Sequence, residues 1–161
     1  MKSLTVTRDR LNDVLKAVGG LTKKEVLIGI PDSAPEREDG PMSNAQIGYV
    51  QEFGSPAQNI PERPFLVTGI RSAQGDIAKR MESGISKVLK GDEGAGEQAL
   101  NTAGLIAQNA VQTKIESGPF SPLSEVTLQR RRARGRTGTK PLIDTGQLRN
   151  SITYVIRQKG K

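Results

Sequence analysis

Residues 66–88 read LVTGIRSAQGDIAKRMESGISKV, and this stretch decides the fold. Its apolar members Leu66, Ile70, Ala73, Ile77, Met81, Ile85 and Val88 recur at steps of 4, 3, 4, 4, 4 and 3. That is the spacing of one helix face. It predicts a continuous helix of about six turns over 64–90, with Pro64 in the first turn. Gly91-Asp92-Glu93-Gly94 breaks the pattern. A second periodic run extends from Gly96 to Glu116, with Ala99, Leu100, Ala103, Ile106, Ala107, Ala110, Val111 and Ile115 on one side. Its alanines let a neighbouring helix approach closely, and the short glycine-containing link predicts an antiparallel pair.

Around this pair the sequence places smaller pieces. Residues 7–20 have helical spacing at Leu11, Val14, Leu15 and Val18, with Thr7 as the cap and Gly19-Gly20 as the stop. Glu25–Ile30 is a β-branched apolar run stopped by Pro31, and Ile152–Ile156 is a second; both read as strands. A short helix is expected over Asn44–Phe53, capped by Ser43 or Asn44 and closed by Gly54-Ser55-Pro56. Pro61 and Pro64 hold the next residues extended. Ser124 suits the cap of a short helix, and Asp144-Thr145 that of a helical turn over 147–151. The polar, Gly- and Pro-rich stretches near 31–46 and 117–140 read as mobile segments of a single domain spanning 1–161.

Composition narrows the chemistry. The 161 residues include no His, no Cys and no Trp. Ser-His-Asp and Cys-His catalysis, zinc fingers, haem attachment and disulfides are thereby excluded. Apolar residues make up 34%, or about 45% with the 18 glycines, and aromatics only 3%. So thin a core is often completed by oligomerisation. No run approaches the length of a membrane span, and the start lacks an apolar signal region, so a cytoplasmic site of synthesis and no membrane partner are expected. Asp144-Thr145-Gly146 matches the triplet of aspartic proteases, but only 15 residues follow it and no second copy exists. Gly135–Lys140 has the ingredients of a phosphate loop without its order. No enzyme and no cofactor are expected.

The net charge of +7 is unevenly spread. Residues 1–129 hold 14 basic and 16 acidic side chains, whereas residues 130–161 hold ten and one. Arg130, Arg131, Arg132, Arg134, Arg136 and Lys140 fall within eleven residues. This basic arm suits DNA phosphates, an acidic neighbouring protein, or a merely solvated loop. It lacks aromatics that would stack on bases. Tyr49, Phe53 and Phe65 concentrate three of the five aromatics in 17 residues. Tyr49 and Phe53, four apart on a helix, fit a pocket on an adjacent subunit, and Arg63 and Phe65 are candidates for the same interface. A local core anchoring the loop to the long helix is the other reading, and Phe65 fits it best.

Three segments resemble a known pattern. Ile47-Gly48-Tyr49-Val50-Gln51-Glu52-Phe53-Gly54 with Ile60-Pro61-Glu62-Arg63-Pro64-Phe65-Leu66 is similar to "A-x-x-x-E-F/Y-G-…-I-P-A-R-P-F-L". Pro122–Arg131 resembles "P-L-S-x-x-T-x-x-R-R", and Lys140–Ile152 resembles "P-L-x-D-T-G-x-L-x-x-S-I". In this order they are the marks of tailed-phage neck and tail-completion proteins, the head–tail joining and virion morphogenesis family. The match spans about residues 25–157 and departs at Glu62, where the pattern often has Ala. The resemblance implies an α+β fold: a small, mostly antiparallel sheet packed with two long helices, plus extended loops and arms. It implies a structural virion protein at the head–tail junction, present in the host cytoplasm during assembly. It implies a homo-oligomeric ring, six-fold by analogy. The partners would be head-completion or connector proteins and tail-tube or tail-terminator proteins, with non-specific contact to DNA in the channel. The alternative is a DNA-binding protein using residues 130–140.

Overall fold

The computed structural model describes residues 10–31, 33–34 and 40–160. Thr7 and part of the 31–46 segment lie outside the described residues. The order of elements is α1 (Leu11–Thr22), β1 (Lys24–Gly29), α2 (Asn44–Phe53), a 3-10 turn at Pro56–Gln58, α3 (Leu66–Ser72), α4 (Gln74–Leu89), α5 (Ala95–Ser117), α6 (Glu125–Ala133), α7 (Gln147–Asn150) and β2 (Thr153–Gln158). The fold is α+β with a small sheet. β1 and β2 pair antiparallel, with Leu27 opposite Val155 and Glu25 opposite Arg157.

The α3–α4 arm packs antiparallel against α5. Gly69 lies over Val111 and Gly84 over Ala99, so positions fall on one helix as they rise on the other. Gly84 has no room for a Cβ, because that atom would run into the Ala99 methyl. The sheet lies on α5 in the same way, with the Tyr154 ring filling the space a side chain at Gly104 would need. Small residues at both contacts set the short spacing, as the alanine-rich face predicts. The core joins Phe65, Val111, Ile115, Leu142, Leu148 and Ile152, with Ile28, Ile30, Ile47 and Ile70 packed at its edge.

Three expectations change. The helix over 64–90 is not continuous: it breaks at Ala73, and it starts at Leu66 rather than at Pro64. The Thr68 hydroxyl donates to the Pro64 carbonyl and the Ser72 hydroxyl to the Gly69 carbonyl. Such back-bonding competes with the helix ladder and bends it. Next, α1 passes through Gly19-Gly20 and ends at Thr22. Both glycines keep negative φ, and Leu21 beyond them packs against Gly96 of α5, so a tertiary anchor overrides the local stop. Finally, Asp144 and Thr145 do not cap α7. Gly146 holds that position with φ 81° and no side-chain cap.

Candidate interaction surface

Helix α2 organises this part of the molecule. Ser43 starts it with a reciprocal cap: its hydroxyl accepts from the Gln46 amide at 3.2 Å, and its own amide donates to Gln46 Oε1 at 3.0 Å. Gly54, at φ 73°, ends it where the Glu62 backbone leaves no room for a Cβ. The helix then presents three sides.

The inner side carries Gly48 and Glu52, both buried. Gly48 sits against Ile30, with Leu148 and Phe65 nearby. Glu52 reaches the start of α3. Its Oε2 accepts from the amides of Phe65 and Leu66, each at 2.8 Å, and its Oε1 from Val67 at 3.1 Å. Phe65, the first flanking residue of α3, has no capping side chain of its own. Glu52 therefore caps α3 from a distant helix and places a negative charge at its positive end.

A second side, with Ile47 and Gln51, borders a cleft of about 150 Å³. Its walls include Leu123, Thr127 and Arg131, then Leu142 and residues 144–148. All three segments of the family-like pattern thus meet at one place. Arg63 ties the first of them to the second. Its Nε donates to the Ser121 carbonyl at 2.8 Å, Nη2 to the Pro122 carbonyl at 3.0 Å and Nη1 to Gln51 Oε1 at 2.8 Å. Burial lowers its pKa from the usual guanidinium value.

The third side faces out. Tyr49 and Phe53 are 68% and 61% exposed, with ring centroids 4.9 Å apart and planes tilted by 51°. They rim a hollow of about 180 Å³ that Ile30, Leu66 and Ile152 help to line. Gly29 and Ile30 also border a groove over Leu27 and Val155, so apolar surface continues from α2 onto the sheet. Leu27 and Val155 are cross-strand partners and both exposed. Large exposed apolar patches are a general feature of interaction surfaces.

The expected interface therefore divides. Tyr49 and Phe53 are available to a partner. Arg63 and Phe65 are not, being 4% and 1% exposed. Arg63 holds the chain's own carbonyls and Phe65 belongs to the core, which corrects their assignment to a partner contact.

The basic arm divides as well. Arg131 is buried, and its Nη1 lies 2.9, 3.0 and 2.8 Å from the carbonyls of Gly138, Lys140 and Ile143. Its Nε is 3.5 Å from Asp144, which also pairs with Arg136 at 2.7 Å. Arg131 is thus an internal anchor, which corrects its place in a partner-facing arm. Arg132 pairs with Glu125 at 3.1 Å in an exposed setting. Lys140 Nζ reaches the Glu116 carbonyl at 3.4 Å. Arg130 and Arg134 are exposed, with no ion pair among the described residues.

The sequence reading missed Glu52 as a cap, Arg131 as an anchor, and Leu27 with Val155 as exposed apolar residues. β1 is apolar at successive positions, so alternation does not mark its outer side. Among the described residues no helix is long and apolar enough to cross a membrane. No family model, curated protein or solved structure matches the chain.

Proposed function

We propose that this chain is a structural subunit of a tailed-phage particle, of the neck or tail-completion kind, without catalytic activity. It assembles with its own copies into a ring that joins the tail to the DNA-filled head, with six copies by analogy. The observation that carries this reading is the convergence of the three pattern segments. Residues 47–66, 122–131 and 140–152 lie far apart in sequence, yet they share one cleft; Arg63 joins the first to the second at Pro122, and Arg131 joins the second to the third at Lys140 and Ile143. Their resemblance to the family pattern is therefore a resemblance in the groups that build one folded unit. The exposed Tyr49–Phe53 pair and the adjoining Leu27–Val155 surface supply a face for a neighbouring copy.

Electron microscopy of particles carrying a tagged copy tests the reading. The expected image shows a ring at the head–tail junction; label over the head shell or along the tail tube refutes it. The face is tested separately by sedimentation velocity of the purified chain with its head and tail partners. Tyr49→Ser with Phe53→Ser should shift the subunit from ring to monomer while leaving the unfolding free energy of the isolated subunit within about 0.5 kcal/mol of the original. A chain that is monomeric even with those partners removes the basis for the proposal.

A further inference from the structure

We infer that residues 118–141 form a strap that undocks from the body as a unit while the rest of the chain stays folded. The attachment is unusual in kind. Arg131 is the one residue of α6 that is buried, and it is held by carbonyls of the strap's own far end and of Ile143. The connector before α6 is held at Ser121 and Pro122 by the Arg63 guanidinium. These are main-chain carbonyls, joined by the partly exposed pairing of Arg131 and Arg136 with Asp144, and water satisfies all of these groups readily once they separate. The α4–α5 pair, by contrast, is joined through apolar burial at Val88, Ala95, Ala99 and Ala103.

Two further features weaken docking. The strap does not close on the body here but leaves an open cleft of about 150 Å³, and Gln147 Oε1 at its wall has no protein hydrogen-bond partner among the described residues. Atoms that line an open cleft meet solvent rather than the opposite wall, so they add nothing that holds the strap down. At the strap's end Leu142 has φ 64°, a left-handed conformation that is strained for a residue with a Cβ. The burial of its side chain in the core holds it there. A segment whose packing on the core rests on Phe120 at its near end, hinged at a strained residue, opens locally at a free energy below that of global unfolding. Opening uncovers the Ile47 and Gln51 side of α2. That side adjoins Tyr49 and Phe53, so the apolar surface of α2 is larger in the open form.

Thiol labelling of the full chain tests this, since the sequence has no cysteine. Leu148→Cys puts one thiol in the cleft wall. Ala107→Cys puts one in α5, where it reports global unfolding. Ile47→Cys, on the other wall, repeats the measurement should Leu148→Cys weaken the fold. Under native conditions the thiol at 148 should react at least tenfold faster than that at 107. Adding Arg131→Lys should raise the rate at 148 several-fold more and the rate at 107 by no larger a factor, so that the cleft thiol stays at least tenfold the faster. Equal rates at the cleft and α5 positions overturn the proposal, as does a cleft rate indifferent to Arg131→Lys.

Discussion

Glu52 is the side chain on which α3 depends most, and its removal has a calculable effect. Replacing it by Ala takes away the side-chain acceptor of three amides at the start of that helix. Loss of a helix cap costs about 0.5–2 kcal/mol. The Phe65 amide is buried, and leaving it without an acceptor costs about 1–3 kcal/mol more. The Leu66 and Val67 amides are only partly buried, so water replaces the carboxylate there at little cost. The expected loss is about 3 kcal/mol, a large share of the roughly 5–15 kcal/mol that folded domains possess. The melting temperature should fall by roughly 6–12 °C, at about 2–4 °C per kcal/mol for a chain of this size. Glu52→Gln keeps one carbonyl oxygen but turns an amide group toward a backbone N–H, and should lose about half as much. Urea unfolding followed by far-ultraviolet circular dichroism measures both, since the chain has no Trp. A loss under about 1 kcal/mol for Glu52→Ala refutes the capping argument. A loss for Glu52→Gln equal to that for Ala would show that charge, not acceptor geometry, is what matters.

The remaining stability predictions separate side chains that sequence alone groups together. Arg131→Met should cost about 2–4 kcal/mol, because three carbonyls and Asp144 lose a buried charged donor. Arg130→Ala and Arg134→Ala should each stay within about 0.5 kcal/mol in the same urea titration. Gly20→Ala should raise stability by about 0.5–1 kcal/mol, because the position is helical, exposed and has open space for a Cβ. A destabilised Gly20→Ala would mean that α1 does not continue to Thr22.

α5, the α4 part of the stretch over 64–90, both strands and α2 were legible because each rests on a local signal: a period, a β-branched run, a Ser-Asn pair at the start of the helix and a Gly after it. What was not legible depends on residues distant in sequence. Gly19-Gly20 looks like a stop until Leu21 is seen against Gly96. Asp144 looks like a cap until Arg136 and Arg131 are seen beside it. Glu52 and Arg63 look like surface charges in a loop-rich segment, yet both are buried. A buried charge needs partners, and apart from Gln51 Oε1 on Arg63 theirs are backbone groups, which every residue carries. No residue type at the far end of the contact could have announced it.

The same distance effect governs the charge. Ten of the last 32 residues are basic, which suggests a polyelectrolyte partner. The fold returns several of these cations to carboxylates: Arg132 to Glu125, Arg149 to Glu116, Arg157 to Glu25, and Arg131 with Arg136 to Asp144. Glu25, Glu116 and Glu125 belong to the near-neutral first 129 residues, so the uneven distribution along the chain partly cancels in space. Within 130–140, the cations free of an ion pair among the described residues are Arg130, Arg134 and Lys140. If duplex DNA binds this segment, three phosphate contacts give a slope of log affinity against log salt of about −3, whereas six would give about −5. Fluorescence anisotropy of a labelled duplex across a salt series measures it. A slope near −5, lost on Arg131→Met, would mean that the buried arginine serves the phosphates after all. It would also mean that the internal carbonyl contacts do not hold it.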